Sequence, residues 1–119
     1  MAVAIKVLKH QEDLTAEMLA DFTAEARMME KLRHPAIIGF VGAVHTRGHL
    51  ALVTELCAHG SLFVALRRRK FGDGLKVKCL ADCASGMNFL HQVGIVHRDL
   101  KPDNVFLVSL EPKSAVCCK

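Results

Sequence analysis

Between Leu14 and Leu32 the residues Leu14, Met18, Phe22, Glu25, Met29 and Leu32 follow one another at intervals of three and four. That spacing draws a single stripe along a helix, because positions three and four apart share a face. Asp13 is placed to cap the start and Pro35 to stop the end. Five of the six stripe residues are apolar and one is an acid. Glu12, Glu17 and Asp21 supply the ordinary acidic surface, whereas Glu25 falls on the stripe itself. An acid buried there is costly unless a cation meets it. The helix therefore asks for a basic side chain from another element.

The flanking segments have a different period. Residues 2–9, AVAIKVLK, are β-branched and apolar around Lys6 and predict a strand buried mostly on both faces. IIGFVGAV and HLALVTEL, separated by HTRGH, predict a hairpin. CAHGS is a loop, and Ser61 caps a short helix, LFVALRRRK, whose basic end suits the helix dipole. A second long helix runs from Leu75 to Gln92, with Leu80, Cys83, Met87 and Leu90 on one face and Gly94 past its end. After Ile95 and Val96 come the loop HRDLKPDN, a strand VFLVSL, the turn EPKS, and AVCCK as the start of another strand. Strand, helix, hairpin, then mostly helix is an α+β order with segregated parts.

Composition excludes several classes. Apolar residues make up 51% and charged residues 24% of 119 positions, enough for a core and too ordinary for disorder. The formal charge of +4 is mild. Arg67–Lys70 is the one basic run, and with no aromatic residue interleaved it reads as a solvated helix end, not a nucleic-acid surface. The longest apolar run, Ala36–Val44, is far short of a membrane span of about 20 residues. The five cysteines, Cys57, Cys79, Cys83, Cys117 and Cys118, are odd in number and lack metal-ligand spacing, so a reduced, cytoplasmic setting is expected. They read as packing residues, with Cys57 the one that a ligand can reach.

The loop at 97–104 has chemical content. Asp99 can orient a hydroxyl and accept its proton, Lys101 can neutralise a phosphate oxygen, and Asn104 offers a hard amide oxygen suited to magnesium. Pro102 stiffens the segment. Taken singly these are common turn residues. Taken as the string HRDLxxxN they match by chance in about one such chain in 10⁴ to 10⁵. With VAIK at residues 3–6, LRHPAIIGFVG and LVTELCAHGSL in the same order, the sequence resembles a eukaryotic protein kinase domain.

That resemblance implies ATP and Mg²⁺ as ligands and a protein hydroxyl as acceptor, with no nucleic acid and no membrane. Lys6 would hold the α- and β-phosphates, and Glu25 would be the helical acid that pairs with Lys6. Thr54 would be the gatekeeper of a rear pocket, and Glu55 and Cys57 would offer hinge backbone groups to adenine. Asp99, Lys101 and Asn104 would be catalytic, Asn104 as a magnesium ligand. Arg98 would be regulatory, contacting a phosphorylated activation loop, and His97 a packing residue. HRDLKPxN resembles the serine/threonine kinases, and DCASGMNFLH their tyrosine-kinase-like branch.

On this reading residues 1–119 are a partial kinase domain: 1–55 part of the N-lobe, 56–60 the hinge, 61–119 the start of the C-lobe with its catalytic loop at 97–104. No GxGxxG precedes VAIK, and no DFG follows the last strand. The expectation is a fragment, inactive alone, of a serine/threonine kinase. Its alternative is a non-catalytic interaction fragment.

Overall fold

A computed structural model describes residues 2–8, 14–46, 48–68 and 71–119. Among them run strand β1 (Val3–Val7), helix α1 (Ala16–Lys31), strands β2 (Phe40–Thr46) and β3 (His49–Glu55), helices α2 (Leu62–Arg67) and α3 (Asp73–Gln92), and a 3₁₀ turn (Pro102–Asn104). The chain divides into two compact units, residues 1–33 with 38–56 and residues 34–37 with 57–119. No described helix is long and apolar enough to cross a membrane.

In the first unit the expected hairpin forms and recruits β1. The three strands make one antiparallel sheet in the order β1-β3-β2. Gly48, at φ +76°, supplies the left-handed residue of the β2–β3 turn. A bulge between Phe40 and Gly42 interrupts the β2 register. The carboxylate of Glu55 spans the same end of the sheet, accepting from the Gly39 N–H at 2.8 Å.

The central strand carries the core. Leu50 and Leu52 are buried together with Phe22 of α1, and Leu8, Leu14, Leu19, Ala26, Met29 and Phe40 pack around them. The expectation that β1 is buried on both faces fails: Ile5 is 63% and Val7 58% exposed. β1 is an edge strand, covered on the one face that carries Leu8.

The axis of α1 is also turned from the reading above. Its inward line passes through Leu19, Phe22, Ala26 and Met29, so Glu25 lies on the flank and is exposed. The helix is capped two residues later than expected, by Thr15, whose Oγ1 accepts from Met18 N–H at 3.1 Å. The expected cap, Asp13, lies outside the described residues.

In the second unit α3 organises everything else. Leu75 and Cys79 pack with Val105, Leu107, Cys117 and Cys118, and Leu62, Ala65, Phe71 and Cys83 close around them. Residues 34–37 lie along its later turns. His34 stacks on Phe89 with ring centroids 5.0 Å apart, and its Nδ1 accepts from Ala36 N–H. The buried face of α3 runs Leu75, Cys79, Asp82, Gly86, Leu90. The face read from sequence is rotated from this, and Leu80 stands 70% exposed. On the buried face the small residue at 86 lets the backbone of Ala36 come close.

Ser61 caps α2 as expected, accepting from Val64 N–H at 3.3 Å. Gly94, at φ +81°, ends α3. Arg67 lies over the Phe63 ring at 5.5 Å, while Arg69 and Lys70 of the basic run are outside the described residues. The two terminal strands expected at 105–110 and 115–119 reduce to isolated bridges, Ser61 with Phe106 and Leu107 with Cys118. Ser114 N–H donating to Glu111 O confirms the turn between them.

A Cβ added at Gly86 would lie 3.0 Å from Ala36 O and 3.3 Å from Ile37 Cδ1, whereas one at Gly74 meets only Pro112 at 3.9 Å. Gly86→Ala should therefore lose about 1–2 kcal/mol, overpacking outweighing a helix-propensity gain of about 1 kcal/mol. Gly74→Ala should be neutral or stabilising by about 0.5 kcal/mol. Urea midpoints of the two variants compared with the parent chain check this.

Candidate active site

The loop at 97–104 is built from its own hydrogen bonds. Arg98 sits at φ +70°, the one left-handed non-glycine residue among those described. Such a conformation costs about 1–3 kcal/mol and persists only where neighbours over-determine it. They do so here. His97 Nδ1 accepts from Asp99 N–H at 3.1 Å, across the strained residue. Asn104 Nδ2 donates to Asp99 O at 2.9 Å and to Asp99 Oδ2 at 3.0 Å. Asn104 N–H closes the 3₁₀ turn on Lys101 O at 2.9 Å, and Pro102 occupies its first position, where no N–H is needed.

The result is a carboxylate held at one oxygen and paired loosely at the other. Oδ2 takes the Asn104 amide, and Oδ1 lies 3.6 Å from Lys101 Nζ. Asp99 and Lys101 remain 65% and 51% exposed at the side chain, so both face solvent and can meet a substrate. The same clamp orients Asn104. With Nδ2 committed to Asp99, its Oδ1 accepts no hydrogen bond from the described protein groups. An outward amide oxygen is the donor that a hard divalent cation takes, and the arrangement fits magnesium. Pro102 and the buried Val105 fix the exit of the loop.

A buried carboxylate that the sequence reading passed over holds the loop's support. Asp82, 5% exposed in α3, accepts from Cys117 N–H at 2.7 Å and Cys118 N–H at 3.4 Å, and pairs with Lys78 Nζ at 2.9 Å. The hydrogen bond that Lys78 donates to Asp82 pushes the Lys78 pKa up. Residues 117–119 in turn pair with the segment leaving the loop: Phe106 and Lys119 exchange N–H to O bonds at 2.8 and 2.9 Å. The signal was legible in principle, since residues 79, 82, 86 and 90 share a helix face and Asp82 is the acid among them. His97 has no comparable signal, because its role depends on the loop's own turn.

The remaining sequence-derived residues are placed less closely. In the first unit Lys6 pairs in register with Leu52, so it shares the sheet face that α1 covers. Lys6 and Glu25 are nevertheless both exposed and form no ion pair within 4 Å. The expectation of a buried Glu25 neutralised by a cation is corrected by the turn of α1. Thr54 lies half-buried in β3, its Oγ1 donating to Glu55 O at 3.3 Å. Glu55 N–H donates to Gly39 O at 2.9 Å. In the second unit Cys57 O accepts from Gly60 N–H, and Cys57 is only 7% exposed, which removes it as a thiol that a ligand reaches.

The family model described as protein tyrosine and serine/threonine kinase matches residues 1–117. The chain is 41% identical over 107 residues to serine/threonine-protein kinase STY17 of Arabidopsis thaliana, covering 88% of this chain and 19% of that protein. It is 42% identical over 109 residues to the probable serine/threonine-protein kinase SIS8 of the same plant, covering 88% of this chain and 10% of that protein. It is 37% identical over 119 residues to the probable serine/threonine-protein kinase gdt2 of Dictyostelium discoideum, covering 98% of this chain and 7% of that protein. The chain thus spans less than a fifth of the length of these curated relatives.

Asp82→Ala would orphan the Cys117 and Cys118 N–H groups in a buried setting. It is expected to cost about 2–3 kcal/mol, read as a lowered urea midpoint at unchanged slope. Asp103→Ala, on the exposed side of the 3₁₀ turn, should stay within about 0.5 kcal/mol of the parent.

Proposed function

This chain belongs to the protein tyrosine and serine/threonine kinase family, and on that basis we propose that the protein carrying it transfers the γ-phosphoryl group of ATP to serine or threonine hydroxyls of a protein substrate. The observation that carries the reading is the Asn104 clamp on Asp99 with Lys101 alongside. Asp99, fixed but exposed, orients the acceptor hydroxyl and takes its proton as the bond to phosphorus forms. Lys101 supplies positive charge to the transferring group. Asn104 is the residue of this loop that would hold magnesium through Oδ1; when bound, the ion neutralises phosphate charge. Arg98 projects from a strained position beside the acid, where a phosphorylated segment would be met.

In the first unit Lys6 is assigned to the α- and β-phosphates and Thr54 and Glu55 to the adenine end; Cys57, in the second unit, is assigned a hinge backbone role. Residues 1–55, 56–60 and 61–119 are then the N-lobe part, hinge and C-lobe start. The HRDLKPDN string and the names of the relatives support the serine/threonine class. Asn104 offers one oxygen of the octahedral set that magnesium takes, so the 119 residues alone are expected to be inactive.

A second reading, a non-catalytic interaction fragment, is favoured by the exposed and unpaired state of Lys6 and Glu25. The two separate on one assay. In the whole protein, Asp99→Asn should lower Mg-ATP-dependent phosphorylation of a serine/threonine peptide about 10²–10⁴-fold, and Lys6→Ala about 10²–10³-fold, with folding unchanged by circular dichroism. Equal activity of parent and Asp99→Asn would refute the catalytic reading.

A further inference from the structure

All five cysteines lie in the second unit, four of them, Cys79, Cys83, Cys117 and Cys118, in one cluster, and two of these four face each other. Cys83 Sγ on α3 lies 3.8 Å from Cys118 Sγ. The backbones that carry them are already fastened together, because Asp82, the residue before Cys83, accepts the Cys118 N–H. A disulfide has an S–S length of about 2.05 Å, so closing the gap takes about 1.8 Å of sulfur movement, within reach of a side-chain rotation.

The members of the cluster differ in access and engagement. Cys79, Cys117 and Cys118 are 3%, 0% and 0% exposed, while Cys83 is only half-buried. Cys117 Sγ donates to Glu111 O at 3.1 Å, and Cys118 Sγ to Cys79 O at 3.4 Å. The sulfur contact with Cys118 draws the Cys83 thiol down to about 7, against burial and the neighbouring Asp82 charge, while the same contact and burial push Cys118 up. Burial raises Cys79 and Cys117. Cys83 is thus the member that a reagent meets first, and Cys118 the one placed behind it.

We infer that Cys83 and Cys118 form a thiol–disulfide exchange site, which takes a small-molecule disulfide at Cys83 and resolves it into a reversible Cys83–Cys118 disulfide. The Cys83 thiolate attacks one sulfur of the reagent, breaking its S–S bond and releasing the first small thiolate. That thiolate takes the Cys118 proton. Cys118 sulfur then attacks the Cys83 sulfur and releases the second small thiolate. Two protein thiols are oxidised and the reagent is reduced to two thiols. The new bond would join α3 to the segment that pairs with Phe106 and Leu107, which follow the 97–104 loop in the chain. The inference rests on packing within the second unit and stands or falls independently of the phosphoryl-transfer reading.

The test is incubation of the folded, reduced protein with glutathione disulfide, alkylation of the remaining thiols, and peptide mapping by mass spectrometry. The expected product is a linked peptide pair carrying Cys83 and Cys118, lost on adding a dithiol, with Cys79 and Cys117 recovered as free thiols. Cys118→Ser should stop at a glutathionyl adduct on Cys83, and Cys83→Ser should leave Cys118 unreacted. The parent protein carries the decisive measurement, so a variant that fails to fold does not spare the proposal. A stable adduct on Cys83 of the parent, a link between any other pair, or reaction only in guanidinium overturns it.

Discussion

Asp82 is the point through which the second unit is held together. Its carboxylate sits in the middle of α3, on the buried face, and it accepts backbone N–H groups from Cys117 and Cys118. An ionised group so placed is tolerated only because both of its oxygens are engaged, one by Lys78 and one by the backbone. The anchored segment then pairs with Phe106 and Leu107, and these fix the end of the loop that bears Asp99, Lys101 and Asn104. Loss of the carboxylate would release a chain of contacts, not one bond, since each later pairing has no regular sheet behind it.

The loop needs that external support because its own backbone is strained. Arg98 in the left-handed region is stabilised by the bond from Asp99 N–H to His97 Nδ1 and by the two from Asn104 Nδ2 to Asp99 O and Oδ2. All three bonds converge on Asp99. The geometry of the carboxylate is therefore set by the loop itself, as the positioning role proposed for it requires.

Much of this order was legible in the sequence, and the reasons for the misses are physical. Element types and turns followed from period and punctuation: the hairpin at 40–55, the Ser61 cap and the Gly94 stop all appear. The loop 97–104 was legible because its residues are contiguous and need no tertiary partner to come together. Faces were not. A stripe read at intervals of three and four fixes a helix's axis only to within about one residue, so Glu25 and Leu80 moved outward while Ala26 and Asp82 moved inward. Burial of β1 depended on which strand took the centre of the sheet, a choice that β3 makes through pairing on both sides and that local pattern does not encode. Terminal strands were overcalled because VFLVSL and AVCCK have strand composition but bury themselves against α3 instead of forming a ladder.

Among the described residues the second unit holds three lysine–aspartate pairs, Lys76–Asp73, Lys78–Asp82 and Lys101–Asp99, and burial decides what the last two can do. Lys78 and Asp82 meet at 2.9 Å with the acid 8% exposed at its side chain, so separation would strand a charge in the core and the pair is structural. Lys101 and Asp99 stand 3.6 Å apart with both side chains more than half exposed. In that setting an ion pair is worth at most about 1 kcal/mol, and water can replace either partner. Lys101 is thus not sequestered by Asp99. A group of higher negative charge, such as a polyphosphate, can draw the ammonium away at little cost, while Asp99 keeps its place through Asn104. The weakness of the exposed pair is what the roles proposed for the two residues require.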